Sequence, residues 1–171
     1  MSDEPLLSTP RFRVERVERQ RSENLVVCRE VIRHPGSVVI LPMIDKDHIC
    51  LIRNYRVAVE QQLIELPAGT LEADEAPATC AARELTEETG YTAGRLKELT
   101  HFFAAPGILD EKMHLFVAED LILGTPAREI GEEIENYIVT WDEALQMVSN
   151  GTICDAKTII GLLFYRQHQS P

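Results

Sequence analysis

The first third of the chain alternates apolar and polar residues in the manner of strands joined by hairpins. Residues 24–32 (NLVVCREVI) are rich in β-branched side chains, and residues 37–41 form an unbroken apolar run that is typical of a strand buried on both faces. Turn residues at 45–47 lead into a partner strand at residues 48–53. Residues 1–10 lack such a pattern and are expected to form a loose polar tail.

The remainder of the chain predicts one central helix, several short strands and two C-terminal helices. A tight loop at residues 67–69 leads toward the central helix at 76–88, which is rich in good helix formers and has Pro77 in its first turn and Gly90 as its stop signal. The residues expected on its buried face are Ala78, Ala81, Ala82 and Leu85. The other predicted elements are strands at 12–17, 61–66, 95–103, 114–118 and 136–140, and helices at 142–149 and 155–168.

This order of elements does not fit a simple alternation of strand and helix. It predicts an α/β fold in which a mixed sheet lies between helical layers. With 171 residues, the chain is long enough for one domain with a real core and too short for two ordinary ones. We expect an N-terminal tail and strand region at 1–35, followed by the main domain at 36–171.

The composition narrows the classes of partner. A net charge of −11 argues against broad contact with nucleic acid or an anionic membrane, and no apolar stretch is long enough to span a bilayer. The N-terminus resembles no signal peptide, so a cytoplasmic location is expected. The four cysteines are scattered and are expected to be free thiols packed in the interior. An anionic substrate would require a divalent metal or local arginines to neutralise it.

The most informative spacing is that of Glu84, Glu87 and Glu88, at positions i, i+3 and i+4 of the central helix. This spacing places three carboxylates on one helical face, where like charges are mildly unfavourable. A cation between them would reverse that effect, and carboxylate oxygens are the ligands that Mg²⁺ and Mn²⁺ prefer. The pattern therefore indicates a divalent metal site.

Residues 69–91 match the pattern G-x5-E-x7-R-E-U-x-E-E-x-G-U, where U is apolar. The matching residues are Gly69, Glu75, Arg83, Glu84, Leu85, Glu87, Glu88, Gly90 and Tyr91. The stretch resembles the Nudix box of the Nudix hydrolases, with Tyr91 standing where an aliphatic residue is usual. The resemblance implies a Nudix-type α/β/α sandwich with a central mixed β-sheet, and hydrolysis of a nucleoside diphosphate linked to another moiety.

The same resemblance suggests roles for the box residues. Glu84, Glu88 and the main-chain carbonyl of Ala68 would bind Mg²⁺, with Mn²⁺ as a possible substitute. Glu87 would bind the metal or support one of its ligands. Arg83 would pair with one of these carboxylates and hold it in place, and Glu75 would have a structural role.

The general base is expected on the acidic loop after the box, at residues 125–135. Glu129, Glu132 and Glu133 are the candidates. Glu132 is preferred, as catalytic base and further metal ligand, because the run GEEIENY resembles the segment that leads into the following strand in Nudix relatives.

Outside the box, LIELPAG and AAPGILDEKMHLFVA, together with Pro106 sixteen residues after Gly90, resemble the ADP-ribose pyrophosphatase subfamily. This implies cleavage of ADP-ribose to AMP and ribose 5-phosphate. It also implies a homodimer in which residues 11–32 of one subunit help complete the adenosine site of the other. The substrate-binding residues that it suggests are Arg29, Arg56, Thr70, Ala105, Pro106, Gly107 and Glu111.

Three alternatives remain open at this point. The substrate could be another nucleoside diphosphate sugar such as GDP-mannose. The domain could sense ADP-ribose without hydrolysing it, although such modules usually lack a box glutamate and this chain keeps all three. Hydrolysis of oxidised nucleoside triphosphates ranks lowest, because those relatives lack the downstream proline pattern.

Overall fold

The N-terminal strands form a sheet of their own in the computed structural model, which describes residues 3–126 and 134–169. The strands β1 (Asp3–Ser8), β2 (Arg13–Ser22) and β3 (Leu25–Arg33) pair antiparallel in the order β1-β2-β3. The expected loose tail is therefore wrong for residues 3–8, which form a paired strand. Cross-strand ion pairs support this pairing, including Arg19 Nη1 with Asp3 at 2.7 Å.

Two further sheets form the centre of the molecule. A mixed four-stranded sheet has the order β7-β4-β9-β8, in which β4 and β9 are parallel and the other pairs antiparallel. An antiparallel three-stranded sheet has the order β10-β5-β6. The strands are β4 (Ser37–Pro42), β5 (His48–Arg56), β6 (Gln61–Glu65), β7 (Ala68–Thr70), β8 (Tyr91–Phe103), β9 (Lys112–Leu123) and β10 (Ile134–Thr140).

The helices α1 (Pro77–Thr89), α2 (Trp141–Ser149) and α3 (Ala156–Gln169) cover these sheets. Successive residues of a strand point to opposite faces, so β4 feeds two cores. Val39 and Leu41 pack in a core that contains residues of α2 and α3, whereas Val38 and Ile40 pack in a second core with α1. This arrangement confirms the predicted α/β/α sandwich with a mixed sheet.

The segment before α1 differs from the prediction. Residues 67–69 were expected to form a tight loop, but residues 68–70 form β7 and pair with Ser37, Val38 and Val39 of β4. This pairing fixes the backbone beside α1. A three-residue strand of Ala, Gly and Thr carries too little apolar pattern to be recognised from sequence.

The central helix begins and ends one residue later than predicted, and its predicted buried face is confirmed only for Ala81 and Leu85. Gly90 ends the helix with a left-handed φ of 79°, a conformation that glycine adopts without steric penalty. Ala78 and Ala82 are exposed, and the buried residues are Cys80, Ala81, Leu85, Glu88 and Thr89. The burial of a glutamate on this face is the first indication of a site.

Two of the four cysteines lie in the interior of the protein. Cys50 and Cys80 are buried as expected, whereas Cys28 and Cys154 are exposed, so the prediction of interior thiols is wrong for half of them. The N-terminal sheet joins the main body through main-chain hydrogen bonds between Ile32 and residues 108–110. None of the helices in the described ranges is both long and apolar enough to cross a membrane.

Candidate active site

Arg83 lies among the acidic residues of α1 and of the segment before it. Its Nε and Nη2 donate to the two carboxylate oxygens of Glu75 at 3.0 and 2.9 Å. Its Nη1 donates to Glu84 at 2.6 Å and to Glu87 at 3.0 Å. The sequence predicted one such pairing, and the structure has three. These hydrogen bonds, of which that to Glu75 is the strongest influence, raise the pKa of Arg83 above its ordinary value.

Glu75 has the structural role that was expected of it. Its carboxylate also accepts a hydrogen bond from the main-chain N–H of Glu72 at 3.1 Å. The hydrogen bonds from Arg83 outweigh the effect of burial and lower the pKa of Glu75 to about 2. Glu75 is therefore ionised at neutral pH and holds Arg83 against the start of α1.

Two glutamates of α1 reach the backbone of β7. The carboxylate of Glu88, which is buried, accepts a hydrogen bond from the N–H of Ala68 at 3.0 Å. The carboxylate of Glu84 lies so close to Gly69 that a Cβ atom placed there would be 1.9 Å from its Cδ. Gly69 is thus needed because any side chain would occupy the position of the Glu84 carboxylate.

The oxygen atoms of Glu84, Glu88 and the Ala68 backbone are suited to binding a hard divalent cation. Ala68 lies opposite Val39 in the ladder between β7 and β4, and the hydrogen bonds of that ladder are made by the residues on either side of this pair. The N–H and the carbonyl of Ala68 therefore both face away from β4, and the N–H donates to Glu88. With Glu84 and Glu88, the carbonyl makes an all-oxygen set of the kind that Mg²⁺ prefers. Within residues 3–126 and 134–169, no group of three or more acidic, histidine or cysteine side chains is arranged to hold a metal ion.

A cavity of about 310 Å³ opens beside β7. It is lined by residues of β4, β5, β7, β8, β9 and α3, both polar and apolar. The lining residues are Ser37, Arg56, Ala68, Gly69, Thr70, Phe102, Ala104, Glu111, Met113, Asp155, Ala156, Lys157 and Ile160. A concave space with an apolar wall and a few convergent polar groups is typical of a small-molecule site.

The polar groups of the cavity are held by hydrogen bonds. Glu111 accepts a hydrogen bond from the Ser37 hydroxyl at 2.8 Å. Arg56 forms a two-pronged ion pair with the buried Glu65, which raises the pKa of Arg56. Burial alone would raise the pKa of Glu65, but hydrogen bonds from Arg56 and Lys157 hold it below its ordinary value.

The structure brings most of the sequence-predicted residues into two adjoining groups. Arg83, Glu84, Glu87 and Glu88 cluster on α1 against β7. Three of the predicted substrate residues line the cavity, namely Arg56, Thr70 and Glu111. The predicted metal ligand Ala68 lines it as well.

The other predicted residues do not line this cavity. Arg29 is exposed on β3, where its guanidinium donates to the main chain of Cys28. Ala105, Pro106 and Gly107 are exposed in the turn between β8 and β9. Glu132, with Glu129 and Glu133, lies outside the described residues.

Sequence reasoning missed the polar residues that come from distant parts of the chain. Lys157 and Asp155, at the start of α3, belong to no motif. Lys157 donates to Glu65, which lies 92 residues earlier in the chain, and to Asp155. The single available signal was Glu65 itself, because an acidic residue inside an apolar strand needs a partner.

Comparisons with known proteins agree with this geometry. The family described as the NUDIX domain matches residues 33–159. An ADP-ribose pyrophosphatase of Bacillus subtilis (strain 168) is 40% identical over 138 residues, which cover 80% of this chain and 75% of the relative. A GDP-mannose pyrophosphatase of Klebsiella pneumoniae is 39% identical over 149 residues, covering 81% of this chain and 74% of the relative.

A solved structure extends the likeness to the whole fold. The crystal structure of an ADP compounds hydrolase superimposes with a TM-score of 0.86 and 26% sequence identity, covering 98% of this chain and 91% of that one. The match to the family extends over most of the sequence, and Glu84 and Glu88 of the box lie against β7. This chain therefore belongs to the Nudix hydrolase family.

Proposed function

We propose that this protein is a Mg²⁺-dependent pyrophosphatase that hydrolyses ADP-ribose to AMP and ribose 5-phosphate. The observation that carries the proposal is the meeting of Glu84 and Glu88 with the Ala68–Gly69 backbone at the edge of a cavity that also contains Arg56. The similarity to an ADP-ribose pyrophosphatase and to an ADP compounds hydrolase supports the choice of substrate.

The proposed chemistry divides the work among the residues of the cavity. Divalent ions held by Glu84, Glu88 and the Ala68 carbonyl would neutralise the diphosphate and lower the pKa of the attacking water. Arg83 keeps the Glu84 carboxylate in place through a hydrogen bond, and Glu87 accepts from the same Arg83 nitrogen and so helps to orient it.

The remaining roles concern substrate binding and proton transfer. Arg56 offers a guanidinium for phosphate oxygens, and Glu111 with Ser37 offers acceptors and a hydroxyl for a ribose. Arg29, Thr70 and residues 105–107 are proposed as further substrate contacts. The general base is proposed to be Glu132.

A second candidate substrate is GDP-mannose. The specific observation in its favour is the similarity to a GDP-mannose pyrophosphatase, at 39% identity nearly equal to that of the ADP-ribose relative. Both substrates share the nucleoside diphosphate sugar linkage, so the same metal site and Arg56 serve either.

A substrate panel separates these candidates. Purified protein with Mg²⁺ or Mn²⁺ is given ADP-ribose, GDP-mannose and an oxidised nucleoside triphosphate, and the release of AMP, GMP or pyrophosphate is measured. We expect the highest kcat/KM with ADP-ribose. Equal or faster turnover of unrelated nucleotide sugars would contradict the substrate assignment while leaving the reaction class in place.

Glu88→Gln distinguishes an enzyme from a non-catalytic ADP-ribose sensor. The substitution removes the charge that would hold the metal but keeps the side-chain shape. We expect turnover to fall by roughly two or more orders of magnitude, with ADP-ribose affinity largely kept. Full turnover in this variant, or activity that survives a chelator, would refute the metal assignment.

The assembly and location proposed here follow from the same family relationship. We propose a homodimer in the cytoplasm, formed through the N-terminal sheet. The exposed apolar residues of that sheet, including Leu25 and Val26, support an interface at this surface.

A further inference from the structure

A buried ion-pair network outside the Nudix box forms one wall of the cavity. The Glu65 side chain is only 1% exposed, and its carboxylate accepts hydrogen bonds from Arg56 Nε at 2.9 Å and from Lys157 Nζ at 2.6 Å. Lys157 is itself buried. A buried carboxylate with two cationic partners is costly to desolvate unless the geometry is favourable, and such groups are often retained for a specific purpose.

The network is anchored to the start of α3. Lys157 Nζ also donates to Asp155 at 2.9 Å, and Asp155 accepts from the main-chain N–H of Thr158 at 3.0 Å. The Thr158 hydroxyl in turn accepts from the N–H of Leu66 at 2.8 Å. These bonds join α3 to the end of β6, so the position of Lys157 relative to Glu65 is fixed from both sides.

The effect of this arrangement falls on Arg56. A guanidinium carries five N–H donors in a rigid fork, and Glu65 takes the edge formed by Nε and Nη2. Nη1 has no hydrogen bond among the described residues, and the Arg56 side chain is 40% exposed where it lines the cavity. The unoccupied edge is therefore held in one orientation, beside the same cavity that Ala68 and Thr70 line.

We propose that Glu65 and Lys157 are positioning residues for substrate binding: Lys157 holds Glu65, and Glu65 holds Arg56 with its free edge available to the diphosphate. This inference rests on the proposed function to the extent that the ligand contains a diphosphate. Neither residue belongs to the box, and neither is assigned a contact with substrate.

The charges explain why Lys157 is needed. Two cations, Arg56 and Lys157, balance two carboxylates, Glu65 and Asp155, in the wall of the cavity. Without Lys157, Arg56 alone would neutralise Glu65, and Asp155 would lose its cation. Lys157→Met would therefore leave these four groups with one excess negative charge, whereas Glu65→Gln would leave one excess positive charge. A KM that rises in both variants thus reports the orientation of Arg56 and not the net charge. Arg56 is expected to contact the phosphates both in the bound substrate and in the transition state. Loss of its correct orientation should therefore raise KM more than it lowers kcat.

The test compares Lys157→Met, Glu65→Gln and the double variant E65Q/K157M in the full chain. Lys97→Met is the matched control. Lys97 is exposed on β8 and does not line the cavity, so its substitution removes the same charge at a distant position. The kinetics use whichever panel substrate the wild type hydrolyses fastest. Thermal unfolding of each variant is recorded alongside.

We expect each single variant to raise KM about tenfold with kcat within about twofold, which corresponds to about 1.4 kcal/mol of lost binding. The double variant should raise KM no more than the larger single effect, because both residues act through Arg56. Lys97→Met should leave KM unchanged.

Two outcomes would overturn the proposal. A KM that stays at the wild-type value in K157M or E65Q, even with a lower melting temperature, would reduce the network to a structural role. Strictly additive effects would mean that Lys157 acts on the ligand directly. Should Lys157→Met fail to fold, Glu65→Gln alone decides the first question, because it preserves volume.

The proposed function fails separately. A wild type that hydrolyses GDP-mannose and not ADP-ribose would refute the assigned substrate, yet the same variants remain informative because the diphosphate is common to both. A wild type that hydrolyses neither is tested by calorimetry, with ADP-ribose affinity taking the place of KM and the same tenfold loss expected.

Discussion

At the scale of single residues, Gly69 and Glu84 show how a main-chain position can determine a side chain's function. The Glu84 carboxylate occupies the volume where a Cβ of residue 69 would lie, while Arg83 Nη1 donates to it from the other side at 2.6 Å. A glutamate held between a backbone and a guanidinium has little freedom to change its direction. This confinement is useful for a metal ligand, whose geometry must be fixed before the ion arrives.

Gly69→Ala should separate activity from stability. The new methyl group would displace the Glu84 carboxylate and break its hydrogen bond with Arg83, so the free energy of unfolding should fall by about 1 kcal/mol. The displaced carboxylate no longer reaches its position at β7, and we expect turnover to fall about 10- to 100-fold. Steady-state kinetics at saturating Mg²⁺ and urea unfolding measure the two effects.

Gly151→Ala is the complementary control for that experiment. Gly151 has a φ of 80° beyond the end of α2, and a Cβ there would meet no atom within 4 Å. The substitution should cost about 1 kcal/mol through backbone strain and leave turnover unchanged. Wild-type kinetics in Gly69→Ala would show that the Glu84 position is immaterial to the reaction.

The residues of the box were predictable because their chemistry is encoded at short range. Glu84, Glu87 and Glu88 share one helical face whatever the rest of the fold does. Glu65 and Lys157 could not be paired in the same way, because 92 residues separate them and only the folded sheet brings them together. Short-range spacing identifies the proposed metal ligands, whereas tertiary contacts determine what surrounds them.

At the scale of elements, α2 begins at Trp141, one residue before the predicted start, and its cap is formed by nearby residues. The Thr140 hydroxyl accepts from the N–H of Glu143, and the Glu143 carboxylate accepts from the N–H of Thr140 at 2.8 Å, which is a complete capping box. Thr140 and Glu143 lie three residues apart, so this signal is local to the sequence. By contrast, β1 and β7 were missed because their pairing partners, β2 and β4, supply the order that their own residues do not signal.

Thr140→Ala should destabilise the protein without altering its chemistry. Loss of the cap leaves main-chain N–H groups at the start of α2 without their partner, at a cost of about 1 kcal/mol. For a chain of this size the melting temperature should fall by about 2–4 °C. Thr125→Ala, at an exposed threonine without a hydrogen bond in the described part of the chain, should leave it unchanged. An equal fall in both variants would contradict the capping argument.

The junction of β6 and α3 predicts a pH dependence of stability. The pKa of Glu65 is depressed in the folded protein, so the unfolded chain binds the proton more readily. The stabilisation that the ionised Glu65 gives the fold is complete above the ordinary glutamate pKa of 4.5. It is lost as the pH falls through the lower pKa of Glu65 in the folded protein.

Glu65→Gln isolates that contribution. Above about pH 5 the variant should be about 2–3 kcal/mol less stable than the wild type, because Arg56 and Lys157 lose a shared buried anion. Below pH 4.5 this difference in unfolding free energy should shrink as the wild type becomes protonated. Chemical unfolding at a series of pH values measures it, and a difference that stays constant down to the lowest pH would contradict the assigned shift.

At the scale of the whole molecule, the N-terminal sheet stands apart from the two central sheets. Its three strands contribute a single buried hydrophobic side chain, Val17, among the described residues. A small sheet without its own core needs another surface to cover its apolar residues. The apolar side chains that it exposes include Leu6, Leu7, Leu25 and Val26. This is the physical basis for proposing that a second copy of the chain covers the sheet.

The prediction is that a charge placed on this sheet separates the subunits. Val26 is 60% exposed on β3, and Val26→Glu would put a carboxylate into the proposed interface. We expect the wild type to sediment near twice its 19.3 kDa mass and the variant to dissociate at roughly micromolar concentration. Ile122→Glu, at a residue 68% exposed on β9, is the matched control and should remain dimeric. If both variants stay dimeric, the interface lies on another surface, and a monomeric wild type would refute the homodimer itself.

Since residues 11–32 are proposed to complete the partner's adenosine site, dissociation should also raise KM for ADP-ribose, which links assembly to catalysis in one measurement.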